Sequence, residues 1–490
     1  MKNRLQQEGA GKVLLRFLPA LLMAALGVFT ALTDPSFGVD EAYTMDFIKG
    51  SYGRLIGLCA ADVHPPLYFI LLKAWVDLGS LLTPLSATAL AKIFSTLPLV
   101  ILMVLGATLV RRWWGGGAAL LFQLCFLAGD LTHYASVLRM YSWASLSVTL
   151  AALAACRALG AGGSTRWGWP ALALATLAAA YTHYFACVSV GCVYLFLMIG
   201  LLIQKKARAI PVLIGCGLIA LVGYLPWLPS LVGQLTSVRE DYWIEAVNFK
   251  TLLLCLGTPF ASEKTLVALA SGAVFALAFG LTLLWVLITW LAERRQNKPL
   301  QARDGFALMF LLVAPCTVLF GALVSWLMRP VFVARYMVPC IPCLWLGFAL
   351  FALRLPEKRQ KALALLLCAV SVVSCGKVVH TEITQGSEYR RFMEFKDQVI
   401  GEELILDDEY HLRETLFFTH PQWNHEALEE DSRWDGTGRI WVIATDPEPA
   451  EKLAREAGLN EEECLEDYGP FQMCEEHFRI YSLTGPGSAD

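Results

Sequence analysis

Charged side chains are the scarcest feature of this 490-residue chain. Asp, Glu, Lys and Arg make up 17% of it, whereas apolar residues make up 56%. A soluble domain usually carries about 25% charged residues, so the composition excludes a soluble enzyme, a disordered tail and a disulfide-stapled secreted module. The chain also lacks any excess of basic over acidic residues, 39 against 42, and so gives no signal for nucleic acid binding. Most of the chain is predicted to be embedded in lipid.

The charges that are present divide the chain in two. Residues 1–379 contain 30 basic and 15 acidic side chains, and residues 380–490 contain 9 basic and 27 acidic ones. We therefore predict a basic membrane body over 1–379 and an acidic soluble domain over 380–490.

The apolar runs of the membrane body are long and continuous. A bilayer core needs about 20 apolar residues per helix, and continuous runs favour helices over the alternating strands of a barrel. The third run is short, and the fifth and sixth are separated by a tight turn. The predicted spans are 13–33, 89–110, 115–130, 141–160, 168–185, 186–203, 210–228, 264–291, 304–327, 333–354 and 360–379. The fold class is a polytopic α-helical membrane protein with about 11 transmembrane helices.

Basic residues in every second loop predict the orientation. Lys and Arg concentrate in cytoplasmic loops, so the N-terminus is predicted inside and the chain from 380 outside. The first span is longer than a signal-peptide core, and we expect it to be a retained helix. The basic clusters are Lys2, Arg4, Lys12 and Arg16; Arg111 and Arg112; Arg157 and Arg166; Lys205, Lys206 and Arg208; Arg294, Arg295, Lys298 and Arg303; and Arg354, Lys358, Arg359 and Lys361.

The loops on the opposite side collect ionisable residues, which are functional candidates near a membrane because burying them there is costly. The first outer loop, 34–88, contains the adjacent acids Asp40 and Glu41. Adjacent side chains point in different directions, so one carboxylate is predicted to act as base or metal ligand and the other to orient it. An acidic helix start is the alternative.

The same loop contains Asp62 and His64 directly before a double proline. Two prolines fix an extended entry into a helix and hold both side chains rigidly. With Asp40 they form a candidate divalent metal site, although no spacing rule identifies one. The other outer segments contain Asp130, His133, Tyr134, Arg139 and Tyr141; His183 and Tyr184; Arg239, Glu240, Asp241 and Glu245; and Arg329 and Arg335.

Three motifs in this order resemble glycosyltransferase family 39. They are FGVDEAYT after the first span, DVHPPLYF in the same loop, and HYASVLRMYSW at the start of a later span. The family belongs to the superfamily of protein mannosyltransferases and lipid A aminoarabinose transferases, the C-type (GT-C) membrane glycosyltransferases. The later THYF, YLPWLP and ARYMVPCIP segments resemble its bacterial members. The chain has no long domain between spans, unlike the eukaryotic mannosyltransferases, which puts a protein acceptor in doubt.

The resemblance implies transfer of a sugar from a polyprenyl-phosphate donor on the extracytoplasmic face. By this resemblance Asp40 is similar to the catalytic base and Glu41 to its partner, and Asp62 and His64 match a second acidic-basic element. Arg139 and Arg335 resemble donor-phosphate ligands, with Tyr141 and His183 as further substrate contacts. For both arginines a helix-end anchor at lipid headgroups is the alternative.

The implied reaction is a single displacement with inversion. Asp40 would take the proton of the acceptor hydroxyl, and the arginines would stabilise the leaving phosphate. The partners are then a polyprenyl-phosphate-linked sugar, an acceptor lipid, glycan or protein, and the bilayer. One alternative is a transporter or flippase of lipid-linked sugars, but transporters usually contain internal repeats and the chain shows none. A second alternative is an inactive relative of the enzymes.

The acidic tail is predicted to be a small α/β domain. ELILDD at 403–408, RIWVIA at 439–444 and FRIYSL at 478–483 are typical of strands, and PAEKLAREAGL after the second of them is typical of a helix ended by Gly458. Most of the 14 cysteines lie in apolar spans and are predicted to be small buried hydrophobes. Cys464 and Cys474 lie in the outer tail, where a disulfide is allowed.

Overall fold

The chain forms two compact units. One consists of Gly50–Val378 with the residues up to Val28, and the other of Phe29–Lys49 with Val379–Asp490. This computed structural model describes residues 10–163, 165–237, 244–261, 265–298, 301–400, 403–408, 410–419, 423–429, 432–473 and 476–486. The predictions for Lys2, Arg4, Arg239, Glu240, Asp241 and Cys474 lie outside the described residues, and the pairing of Cys464 with Cys474 stays a prediction.

The first unit is helical. Its helices are α1 Ala10–Thr33, which continues into the second unit, α3 Tyr52–Ala61, α4 Leu67–Leu82, α5 Ala87–Trp114, α6 Gly116–Ala128, α7 Tyr141–Ala158, α8 Gly168–Thr182, α9 Tyr184–Ile203, α10 Ile210–Tyr224, α11 Leu228–Ser237, α12 Phe249–Gly257, α13 Leu266–Arg295, α14 Ala302–Leu327, α15 Ile341–Ala352 and α16 Glu357–Val399, which also continues into the second unit. Helix α2, Val39–Phe47, belongs to the second unit.

Eight stretches of the described chain are long and apolar enough to cross a membrane. They confirm a polytopic helical membrane protein, and a helix begins within a few residues of nearly every predicted span. The predicted count of eleven is not reached by length and hydropathy because α6, α7 and α8 fall short. Helix α7 falls short in hydropathy because it carries buried Ser142, Ser145, Ser147 and Thr149.

Small residues allow the spans to approach closely. A Cβ at Gly168 of α8 would lie 2.7 Å from the backbone of Ala158 in α7, and one at Gly347 of α15 would lie 2.8 Å from the backbone of Ala307 in α14. Between apolar helices in lipid, close van der Waals contact of this kind drives association. These contacts hold α7 against α8 and α14 against α15.

The second unit contains the predicted α/β domain. Its strands are β1 Ile405–Asp407, β2 His425–Ala427, β3 Arg439–Ala444, β4 Leu465–Met473 and β5 Glu476–Thr484, and its further helices are α17 Tyr410–Thr419, α18 Glu448–Glu456 and α19 Glu461–Cys464. The sheet order is β2-β1-β3-β5-β4. Strand β1 pairs in parallel with β2 and β3, whereas β5 pairs antiparallel with β3 and β4.

Successive side chains of β3 point to opposite faces of the sheet, and both faces are buried. Trp441 and Ile443 join one apolar cluster, and Ile440 and Val442 join the other. Gly458 ends α18 with a φ of +74°, the left-handed conformation that favours glycine. Strands β2 and β4 were not predicted, because β2 is short and only partly buried, so that it carries no apolar run, and β4 is interrupted at Gly469-Pro470.

Candidate functional site

A short elbow between α3 and α4 carries the first two site residues. Ser51 starts α3 by accepting a hydrogen bond from the backbone N–H of Arg54 at 3.2 Å, and Asp62 ends it in an extended conformation. Pro65 and Pro66, both buried, then lead into α4. Asp62 and His64 are thus held between two helix ends, as the double proline predicted.

The elbow is joined to the start of α7 by a hydrogen-bonded chain. His64 Nδ1 lies 2.6 Å from Asp62 Oδ2, and His64 Nε2 lies 3.1 Å from Arg139 Nη2. A guanidinium can only donate, so Nε2 accepts and the ring proton is on Nδ1, which donates to the carboxylate. His64 is therefore a neutral link between an acid and a buried guanidinium 75 residues away in sequence.

The charge of Asp62 is stabilised within this chain. Burial alone would raise the pKa of its carboxyl, but the hydrogen bond from His64 and the charge of Arg139 outweigh burial and lower that pKa. Asp62 is accordingly ionised at neutral pH, and its side chain remains 39% exposed. The sequence predicts that Asp62 and His64 lie close together, but it does not predict their contact with Arg139.

Arg139 is fixed by the turn before α7. A 3₁₀ helix over Asp130–Ala135 precedes it, and Thr96 of α5 donates to the carbonyl of Ala135 at 2.7 Å. The backbone N–H of Arg139 donates to the Val137 carbonyl at 2.8 Å. With 8% of its surface exposed, Arg139 is buried, and this burial favours a role inside the protein over the alternative of a headgroup anchor.

A second cluster surrounds His183, which lies in the turn between α8 and α9 and outside both helices. Its ring centroid is 5.6 Å from that of Tyr141 and 5.1 Å from that of Tyr336. The N–H of Phe185 donates to its Nδ1 at 3.1 Å. Burial, with the charges of Arg139 and Arg335, lowers the pKa of His183 to about 3, so His183 is neutral.

Arg335 and Tyr336 are in a 3₁₀ turn, Ala334–Cys340, that precedes α15. Ser145 of α7 donates to the Val338 carbonyl at 3.1 Å, which binds this turn to the same helix that follows Arg139. The structure thus brings together Asp62, His64, Arg139, Tyr141, His183 and Arg335, all predicted from sequence. These residues lie at the end of the bundle opposite the predicted cytoplasmic basic clusters. Helices α5, α7 and α9 reach those clusters at their C-terminal ends, at Arg111, Arg157 and Lys205 respectively.

Asp40 and Glu41 belong to the second unit and are in the first turn of α2. Glu41 Oε2 accepts the N–H of Gly38 at 2.9 Å and so caps the helix. Before α2, buried Asp34 accepts from both the N–H and the hydroxyl of Ser36, at 2.9 and 2.6 Å. Both acids thus lie where the alternative of an acidic helix start places them; Glu41 caps the helix, and the role of Asp40 as the base stays a prediction.

The geometry does not fit the candidate metal site. Among the described residues no three His, Cys, Asp or Glu side chains come together as ligands. Both ring nitrogens of His64 already have partners, so it has no lone pair to offer a cation. We derive no step through a metal ion.

Two residues near this end of the bundle were not predicted from the sequence. Tyr336 lies in the ARYMVPCIP motif, and sequence spacing does not indicate its contact with His183. Lys92 is 4% exposed within α5, and a lone Lys in an apolar run is the signal that would have identified it.

Comparison with solved structures identifies the fold. The chain shares its fold with two solved structures of ArnT from Cupriavidus metallidurans, which is the fold that the motifs predicted. The form bound to undecaprenyl phosphate superposes with a TM-score of 0.58 at 14% identity, covering 98% of this chain and 100% of that one. The apo form gives 0.58 and 13%, covering 95% and 98%. The chain matches no protein-family model and no curated protein sequence.

Proposed function

We propose that the protein is a membrane glycosyltransferase that transfers a sugar from a polyprenyl phosphate to an acceptor hydroxyl on the extracytoplasmic face. The observation that carries the proposal is the buried Arg139, held by the neutral His64 and ionised Asp62 in a chain with the ArnT fold. ArnT has been solved with undecaprenyl phosphate, and a phosphate of that kind is what paired guanidinium groups recognise.

In the proposed step the acceptor oxygen forms a bond to the anomeric carbon as the bond from that carbon to the phosphate oxygen breaks. The electron pair stays on the phosphate, which leaves as polyprenyl phosphate, and the acceptor proton passes to Asp40. Arg139 and Arg335 stabilise the charge that grows on the leaving phosphate. The contact with His64 uses one of the five N–H donors of Arg139 and fixes the plane of the guanidinium.

The neutral state of His183 supports this assignment. A protonated imidazole beside two guanidinium groups would be strongly repelled, whereas a neutral ring packs against Tyr141 and Tyr336. These rings form an aromatic wall beside the arginines, suited to the apolar isoprene units next to the phosphate. Tyr141 and His183 thus serve as donor contacts in the proposal.

The test uses purified protein in lipid with a panel of polyprenyl-phosphate sugars and a membrane extract that supplies acceptors. We expect one donor to release free polyprenyl phosphate, and Asp40→Asn to reduce that release at least 1,000-fold while donor binding persists. Asp46→Asn, the same isosteric substitution at the other end of α2, is the matched control and is expected to retain most turnover. Release at the native rate by Asp40→Asn would remove Asp40 as the base, and no release from any donor would favour a transporter.

A further inference from the structure

The last carbonyl groups of α3 are bound by a side chain from a distant part of the same unit. Gln234 of α11 donates from Nε2 to the carbonyls of Cys59 at 2.8 Å and Ala60 at 3.3 Å. The final carbonyls of a helix have no partner within the helix, so Gln234 supplies what the C-terminal end of α3 needs. Gln234 is 5% exposed, which shields these bonds from water.

Two aromatic residues bind the other end of the Gln234 amide. The hydroxyl of Tyr184 donates to Gln234 Oε1, and the indole N–H of Trp227 donates to the Tyr184 oxygen at 3.4 Å. Because the backbone carbonyls of α3 can only accept, Gln234 must present its NH₂ group to α3, and its Oε1 then accepts from Tyr184. We call Trp227, Tyr184 and Gln234 the α3 clamp.

The clamp lies directly beside the functional elbow. Asp62 follows the clamped carbonyls by two residues, and the charge of Asp62 acts on Tyr184. Tyr184 directly follows His183. The same short segment therefore supplies His183 to the aromatic cluster and Tyr184 to the clamp. Any shift of this turn would move His183 and the end of α3 together.

We infer that the α3 clamp is a positioning device for the reaction: it sets the Asp62–His64 pair in register with Arg139 and thereby orients the guanidinium toward the donor phosphate. This inference rests on the proposed function for its catalytic consequence. Clamp residues do not touch the reacting atoms; they act through the elbow, as outer-sphere partners orient catalytic groups elsewhere.

The first experiment is kinetic. Gln234→Met keeps the length and removes both donors, and Tyr184→Phe removes only the hydroxyl. We expect each to lower kcat 10- to 100-fold, with less than about a threefold change in donor KM. Thr236→Val on the same helix is the matched control, since among the described residues its exposed hydroxyl bonds only to carbonyls of its own helix, at 3.1 and 2.9 Å; we expect it to retain native kcat.

A double-mutant cycle separates positioning from general destabilisation. If the clamp acts through Asp62, Gln234→Met should cause no further loss of kcat in an Asp62→Asn background. An equal additional loss in both backgrounds would show a merely structural role and overturn the inference.

A readout that needs no activity keeps the clamp testable if the proposed reaction fails. Amide hydrogen exchange of residues 55–64 should become about tenfold faster in Gln234→Met and in Tyr184→Phe, because carbonyl capping at a helix end resists local fraying. Thr236→Val should leave this exchange at the native rate. Native exchange in both clamp variants would overturn the clamp itself, whatever the donor panel shows.

Discussion

At the scale of single residues, the site depends on which atom donates and which accepts. His64 is neutral because its two neighbours leave it no other state: Asp62 accepts from Nδ1 and Arg139 donates to Nε2. The amide of Gln234 is oriented in the same way, because the carbonyls of Cys59 and Ala60 only accept and its NH₂ group must face them. Both assignments follow from the fact that guanidinium groups only donate and carbonyls only accept.

Arg139→Lys tests the importance of the guanidinium shape. An ammonium keeps the charge but lacks the planar fork that can contact His64 and a phosphate together. We expect donor use, measured as kcat/KM for the polyprenyl-phosphate sugar, to fall about 100-fold, and acceptor KM to change less than about threefold.

Arg329→Lys is the control for that substitution. Arg329 also lies on a segment predicted to be outside, but it donates at 2.9 Å to the Leu235 carbonyl, a contact that an ammonium can replace. Equal losses for donor and acceptor in Arg139→Lys would contradict the assignment to the donor phosphate.

At the scale of helices, buried polar contacts tie together elements that lipid alone would leave free to slide. Arg354, after α15, donates to Asp304 of α14 at 2.8 and 2.5 Å and to Glu293 of α13 at 2.8 Å. Only 2% of the Asp304 side chain and 6% of the Arg354 side chain are exposed. This network ties α13, α14 and the end of α15 together.

Removing Arg354 should be costly because Asp304 would stay buried and charged. We expect Arg354→Met to destabilise the protein by about 3–5 kcal/mol, measured by denaturant unfolding in mixed micelles. Lys361→Met breaks an exposed pair with Glu357 and is expected to show no measurable change. A native unfolding midpoint for Arg354→Met would mean that the bonds between Arg354 and Asp304 do not stabilise the fold.

At the scale of the whole molecule, the alternation of basic loops remains the argument for orientation. Epitope tags at the two termini, with protease added to sealed cells, test it. The C-terminal tag should be digested from outside and the N-terminal tag only after the membrane is opened. Digestion of the N-terminal tag in sealed cells would reverse the topology and move the proposed reaction to the cytoplasmic face.

The sequence by itself determined the membrane class, the approximate position of nearly every span, three strands of the soluble domain, and six side chains that meet at one end of the bundle. These properties follow from local patterns: hydropathy reports burial in lipid, alternation reports a sheet, and a double proline fixes the backbone beside it.

Only the tertiary structure decided which side chains are partners. The bond between His64 and Arg139 spans 75 residues and that between Gln234 and Cys59 spans 175, and residues 29–49 belong with the C-terminal domain rather than with the spans. Such pairings depend on how helices pack, and packing depends on side-chain shapes along entire helix faces, which leave no periodic trace in the chain. Gln234 shows this most clearly: in sequence it is one amide in a short apolar segment, and in the fold it binds the end of the helix that presents Asp62.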